Sequence, residues 1–473
     1  MKKFLIILAL IVVAIAIGAY FFLFGKKDVC KNVIPEDAKA VLVIDAKQAL
    51  KQMDFSISDI FKALKHRQQQ KEEDKSGWGI DMLSPMYGFV SADNYVCGVF
   101  ALSNPADFED KLKEENITVE SQRGFKWANK GEILLCFDSE KALALGPVTM
   151  TESDRMRGKM VEWMKQGSHN VPVLSSLKNN DGVLCLRSSL DVLPEAITEQ
   201  FNHYLNNVEL DKIFLNVTLN VREKAFVLSS ELDSQDDNLS KCISEFDDFL
   251  RPIDDGTFEP RVSNPMAQVF FNVQGEKLLI KLRENPFIRM FLVAVNLCVD
   301  TDMMIKAIDG NVSIEIGGRT NRGVAFLMNA KVMNQDFLKN AKDWCTGGST
   351  LGYSCQAFDD KNFVLQNGGQ KFFFGVDGDF LYLSSLDRNS SVFSASQSGN
   401  NFSPVREHIV GKRYYASVDV DKVYNFVFGY NSKEVENPAG LDRINIGVSD
   451  LSHFQIEFTT KVKTTDFIKK LLK

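Results

Sequence analysis

The sequence lacks the short motifs by which many enzymes and metal proteins are recognised. Its eight cysteines include no CxxC pair, which excludes a zinc ribbon and a thioredoxin-like redox motif. Its five histidines form no HExxH pattern, and neither a GxSxG nucleophile elbow nor a GxxxxGKS/T phosphate loop is present. The sequence therefore offers no catalytic, cofactor-binding or metal-ligating residue that we can name.

Proline is also scarce, and basic residues are outnumbered by acidic ones. The chain has 12 Pro in 473 residues, and 55 basic against 62 acidic residues give a net charge of −7. Because nucleic-acid-binding proteins usually carry a basic surface, this balance argues against a nucleic-acid partner. The hydrophobic content of 45% is typical of globular domains with sizeable cores. We expect the 36 Phe to fill those cores rather than to bind an apolar ligand.

The longest hydrophobic run lies near the start of the chain, from Phe4 to Phe24, with lysines on both sides. A helix over residues 4–24 covers about 31 Å, which matches a bilayer core of about 30 Å. A cleaved signal peptide has a shorter apolar core, although residues 14–16 resemble a cleavage site. We therefore expect residues 1–27 to be an uncleaved transmembrane signal anchor in the inner membrane, with residues 28–473 in the periplasm. Export after signal cleavage is the alternative.

The cysteines suggest three different environments. Cys97, Cys136 and Cys185 lie in apolar, strand-like runs, where buried free thiols are common. The best disulfide candidate is Cys345 with Cys355, which would close a glycine-rich loop. Cys30 falls in residues 25–33, which we interpret as the link between anchor and domain, and is predicted to be a free thiol.

A strand, a polar turn and a helix recur four times along the chain. The predicted turn residues are Asp45, Arg187, Asn272 and Asp419. The first and third, like the second and fourth, are separated by about 230 positions, which indicates two homologous halves at residues 28–260 and 261–473. A hairpin and a second helix follow each of these units. The β-α-β-β-α pattern predicts an α+β fold with mainly antiparallel sheets.

Several short motifs resemble those of a known family. They are residues 33–38 (VIPEDA), 79–81 (GID), 84–87 (SPMY) and 306–311 (KAIDGN). They resemble the Bacteroidota envelope proteins grouped as domain of unknown function 4836, over nearly the whole chain after the anchor. The resemblance implies an exported, membrane-attached protein and brings no established activity or catalytic residues. Many of these relatives look like lipoproteins, and this chain departs from them because Lys27-Asp28-Val29 precedes Cys30.

Two functional hypotheses follow. The first is a membrane-anchored envelope protein without enzymatic activity, which binds or scaffolds an envelope protein or a small ligand between its halves. The alternative is a hydrolase of an envelope polymer, with carboxylates at the cleft between the halves. That chemistry requires two carboxyl groups about 5–10 Å apart.

Overall fold

The computed structural model describes residues 28–53, 78–167, 171–175, 177, 182–193, 198–199, 208–255, 262, 265–296, 300–320, 323–346, 354–387, 406–429, 440–450 and 452–471. The predicted anchor at residues 4–24 lies outside the described residues. Within those ranges, no helix is long and apolar enough to cross a membrane. The chain divides into two compact units, one up to Leu239 together with the segment from Val462, the other Ser240–Lys461.

The first unit alternates strands with amphipathic helices. Its strands are β1 (Ala40–Ile44), β2 (Met86–Val90), β3 (Val96–Ala101), β4 (Val119–Gln122), β5 (Phe125–Lys130), β6 (Ile133–Phe137), β7 (Lys141–Gly146), β8 (Leu184–Ser189), β9 (Ile213–Arg222) and β10 (Ala225–Ser234). The helices in this part of the chain are α1 (Ala46–Gln52), α2 (Pro105–Glu114), α3 (Ser153–Lys165), α4 (Pro172–Ser175) and α5 (Asp237–Phe249), of which α5 continues into the second unit.

The second unit repeats this alternation. Its strands are β11 (Leu250–Arg251), β12 (Ala267–Gln274), β13 (Ile308–Thr320), β14 (Gly323–Val332), β15 (Ser354–Ala357), β16 (Asn362–Asn367), β17 (Gln370–Asp377), β18 (Phe380–Ser384), β19 (Tyr414–Asp419), β20 (Leu441–Asp450) and β21 (His453–Thr460). Its further helices are α6 (Gly275–Glu284), α7 (Pro286–Asn296), α8 (Thr301–Ala307), α9 (Phe337–Thr346), α10 (Arg406–Ile409) and α11 (Val420–Phe428). A last helix, α12 (Thr464–Leu471), belongs to the first unit, where the Phe467 ring lies 5.7 Å from that of Phe226.

Every strand pair within each unit is antiparallel. The ladder of the first unit runs β10-β9-β8-β1-β2-β3-β7-β6-β5-β4. The ladder of the second runs β21-β20-β19-β12-β13-β14-β18-β17-β16-β15, with β11 on the end of β12. The two orders correspond strand for strand. The predicted combination of helices with antiparallel sheets is confirmed, and the predicted boundary at residue 260 falls inside the second compact unit.

The beginning of the described chain corrects one prediction. Residues 28–33 are not a free link, because Cys30 and Val33 are fully buried in the main core of the first unit. Asp28 holds this segment in place: its carboxylate accepts a hydrogen bond from the Cys30 backbone N–H at 3.3 Å and one from the Tyr87 hydroxyl at 2.5 Å. The described part of the predicted link, residues 28–33, therefore belongs to the first unit.

Two of the four predicted turn residues are also wrong. Asp45 and Asp419 do follow strands, and each carboxylate accepts hydrogen bonds from the first turn of the next helix. Arg187 and Asn272 lie inside β8 and β12 instead. Both side chains find hydrogen-bond partners from within a strand, so neither position needs a turn.

Candidate functional site

Polar side chains cross five neighbouring strands of the second sheet in one row. Because directly paired residues on adjacent strands point to the same face, the register places these side chains side by side. We call them the polar row; in order across β21, β20, β19, β12 and β13 they are Glu457, Asn445, Ser417, Gln268 and Glu315.

Burial changes steadily along the polar row. Gln268 and Glu315 have 0% of their surface exposed, and Ser417 has 3%. Asn445 and Glu457 are only half-buried. The polar row therefore leads from the dry centre of the sheet to a position that solvent and ligands can reach.

Hydrogen bonds join the outer three residues in one direction. The Ser417 hydroxyl donates to Oδ1 of Asn445 at 2.7 Å, and Nδ2 of Asn445 donates to the Glu457 carboxylate at 3.2 Å. Each bond fixes the orientation of the next group, because the amide of Asn445 can satisfy both neighbours in only one of its two flips. The Glu457 carboxylate is the terminal acceptor of this chain of hydrogen bonds.

Glu315, at the inner end, has a structural task. Its carboxylate accepts the backbone N–H of Val262 at 2.9 Å. On the same face, Asn272 donates to the carbonyl of Pro252 at 3.0 Å, and Asn311 donates to Asp254. These three side chains hold Pro252, Asp254 and Val262 against the sheet.

Gln268 differs from the rest of the polar row. Neither its amide oxygen nor its amide nitrogen has a hydrogen-bond partner, although both are buried. A buried amide without partners costs about 1–3 kcal/mol of stability. Most buried side-chain polar atoms have partners, and in Gln268 both polar atoms are exceptions.

A lysine and a tyrosine flank the polar row. A Cβ on Gly447 would lie 2.6 Å from Nζ of Lys412, so the lysine side chain crosses β20 where a glycine leaves room for it. Burial lowers the pKa of Lys412, and the negative charge of Glu457 opposes that shift. Burial, helped by the same carboxylate, raises the pKa of Tyr415 to about 12. At neutral pH Tyr415 is therefore protonated and is not a nucleophile.

The corresponding row of the first sheet has a different chemistry. In order across β10, β9, β8, β1 and β2 it contains Glu231, Asn216, Arg187, Val41 and Phe89. Its buried Arg187 donates to Asn216 and to Asp233, each at 2.8 Å, and lies 4.4 Å from the ring centroid of Phe214. Its last two positions, Val41 and Phe89, are apolar, so this row has no amide at the place that Gln268 occupies in the second sheet.

The cysteines behave as the sequence predicted, apart from the position of Cys30. Cys97, Cys136 and Cys185 are buried and are not disulfide-bonded, and Cys345 and Cys355 form a disulfide. Burial raises the pKa of Cys30 and of Cys136 to about 12, so these thiols are unreactive at neutral pH. Within the described ranges, no group of three His, Cys, Asp or Glu residues is arranged to hold a metal ion.

Sequence reasoning missed the polar row, although a signal was present. Residues 311–316 alternate polar Asn, Ser and Glu with Val, Ile and Ile. Such alternation is typical of a strand with one face in water. Here Asp254 and Val262 lie against that face, and the Asn311 and Glu315 side chains are buried.

No protein-family model and no curated protein matches the sequence. Among solved structures, crystal form IV of TP0453 is similar at 12% identity and a TM-score of 0.28, over 43% of this chain and 79% of that one. Crystal form III of the same protein gives 10% identity and a TM-score of 0.27, over 47% and 87%. Similarity at this level supports no conclusion about fold or function.

Proposed function

We propose that this chain is a membrane-attached envelope protein that works by binding, and that the polar row of its second unit contacts the bound molecule. The observation that carries the proposal is the buried amide of Gln268, which has donors and an acceptor but no partner. A ligand group that reaches this amide would remove the cost of leaving it unpaired.

The surroundings of Gln268 define the chemistry of such a ligand. Inward of the exposed end, the polar row offers amide and hydroxyl groups, which suit a neutral hydrogen-bonding group such as a peptide amide or a sugar hydroxyl. At that end Glu457 and Lys412 provide one charge of each sign. The ligand is therefore expected to be polar overall, with no large net charge.

Attachment to the envelope has separate support. A disulfide between Cys345 and Cys355 suits an oxidising compartment outside the cytoplasm. The apolar run at residues 4–24 is long enough to anchor the chain in the inner membrane, with residues 28–473 in the periplasm. The resemblance of residues 33–38, 79–81, 84–87 and 306–311 to the family of unknown function 4836 implies the same location. The matching strand orders support descent of the two halves from one duplicated ancestor.

The polar row does not favour the alternative of an envelope-polymer hydrolase. Its two carboxylates, Glu315 and Glu457, lie four strand spacings apart, which is roughly 19 Å between backbones. Paired carboxylates in glycoside hydrolysis are about 5–10 Å apart. Glu315 is moreover engaged with the backbone of Val262.

Cross-linked affinity capture from native membranes tests the proposal. The full chain is compared with a Gln268→Met, Asn445→Leu double variant and with a control that contains only residues 1–32. We expect one envelope component to be recovered by the full chain and lost from both controls. Equal recovery by the double variant would remove the polar row from the proposal, and turnover of an envelope polymer by the purified full chain would overturn the non-enzymatic assignment.

A further inference from the structure

Helix α7 in the second unit begins with a well-defined cap. The side chain of Asn285 accepts hydrogen bonds from the backbone N–H groups of Phe287 and Ile288, at 3.0 and 3.1 Å. Pro286 occupies the first helical position, where a missing N–H costs nothing. The helix packs against α6 and α8, and Leu292 is buried on that side. One face of α7 is therefore fixed against the unit.

The opposite face of α7 is apolar and exposed. The exposed fractions of Phe287, Met290 and Val293 are 73%, 66% and 60%. Residues three apart lie on one face of a helix, so these side chains form one continuous strip. Ile280 on the preceding helix is also exposed. A surface helix of a globular protein normally turns polar side chains outward, whereas this one exposes apolar side chains as well as burying them.

The charge of α7 is as unusual as its exposed face. Arg289 is its one charged residue, and the helix contains no acidic residue. Arg289 is exposed and, at 100° per residue, lies at the margin of the apolar strip. A long cationic side chain at the edge of an apolar helix face can reach the phosphates of a bilayer while its neighbours contact acyl chains.

We propose that this face of α7 binds the interface of a lipid bilayer, with Phe287, Met290 and Val293 among the acyl chains and Arg289 at the headgroup phosphates. A protein partner is a poorer occupant, because protein interfaces usually include about one hydrogen bond per 100–200 Å² and the strip has no group to make one. This proposal depends on the proposed function in one respect: residues 4–24 bring the chain to a bilayer.

Photo-cross-linking to lipid tests this contact in the full chain. The protein is reconstituted into vesicles of phosphatidylethanolamine and phosphatidylglycerol that contain a lipid with a photoreactive acyl chain, and adducts are located by mass spectrometry. We expect adducts in residues 4–24 and in residues 286–293. The triple variant Phe287→Ser, Met290→Ser, Val293→Ser should lose the α7 adducts by about tenfold or more and keep those of the anchor. Because the three side chains are exposed, the variant should fold normally.

The controls separate this inference from the proposed anchor. Ile133→Ser changes an exposed apolar residue of the first unit and should leave the adducts unchanged. Adducts confined to residues 4–24 would overturn the α7 contact and leave the anchor intact. Adducts on α7 without any in residues 4–24 would support the helix contact and overturn the anchor. Cross-links from α7 to protein instead of lipid would identify a protein occupant and overturn the proposal.

Discussion

Ser417 donates a hydrogen bond to Asn445 on the neighbouring strand, at 2.7 Å, and Asn445 in turn donates one to Glu457. The corresponding asparagine of the first sheet, Asn216, accepts its bond from Arg187 instead. The two units thus share the strand order and an asparagine at this position, while the groups on either side of it differ.

The Ser417 hydroxyl should matter both for stability and for binding. Ser417→Ala removes one buried hydrogen bond and is expected to lower the free energy of unfolding by about 0.5–1.5 kcal/mol. Because Asn445 then loses the group that orients its amide, recovery of the captured component should fall as well. Ser384→Ala is the matched control, since Ser384 is equally buried and donates to the Leu386 carbonyl away from the polar row. If both variants affect capture alike, Ser417 has only a structural role.

Gln268→Met should stabilise the protein while weakening binding. Methionine has nearly the volume of glutamine and no amide to desolvate, so we expect the free energy of unfolding in urea to rise by about 1–3 kcal/mol. Residues in binding sites often lower the stability of the folded protein. A destabilised variant would show that the amide supports the fold, and the proposed function would lose its main observation.

Much of the fold could be predicted from the sequence, because its signals are local. The hairpin at β2 and β3 and the helix that begins before Phe108 both follow from short apolar patterns. The polar row could not be predicted in this way. Its members come from five strands, and only the pairing register, together with the cover over Glu315, brings Gln268 and Asn445 into one buried line. The turn predicted at Arg187 was wrong for a related reason: a strand residue can bury a guanidinium when Asn216 and Asp233 accept its hydrogen bonds.

The buried thiols predict an alkaline loss of stability in the first unit. The pKa values of Cys30 and Cys136 are about 12 in the folded state, against 9.0 as the reference value. Between pH 9 and 12 the unfolded chain loses these protons and the folded chain keeps them, so the free energy of unfolding should fall as pH rises. The loss reaches up to about 4 kcal/mol for each thiol at the top of this range.

Urea unfolding at several pH values measures this effect. In the Cys30→Ala and Cys136→Ala variants the slope of stability against pH should be shallower than in the parent chain, whatever their stability at neutral pH. Cys242→Ala, at a half-buried position, provides the comparison with the parent slope. An unchanged slope in the first two variants would show that neither thiol is shielded from titration.

The disulfide should stabilise the second unit alone. Cys345 and Cys355 are ten positions apart, and closing a loop of this size is worth about 2–3 kcal/mol. Calorimetry with and without a reductant should show one transition that moves and one that does not. The Cys345→Ser, Cys355→Ser double variant should match the reduced protein and should not respond to the reductant. A shift of both transitions, or of neither, would contradict this assignment.

The shared strand order also creates a hazard during synthesis, because each half presents a template on which strands of the other could assemble. Proteins with repeated domains are prone to such exchange. The divergent row counteracts it: a β1 strand paired with β13 would set Val41 beside the buried carboxylate of Glu315, and β12 paired with β2 would set Gln268 beside Phe89. The difference between the rows therefore disfavours strand pairing between the halves and favours pairing within each half.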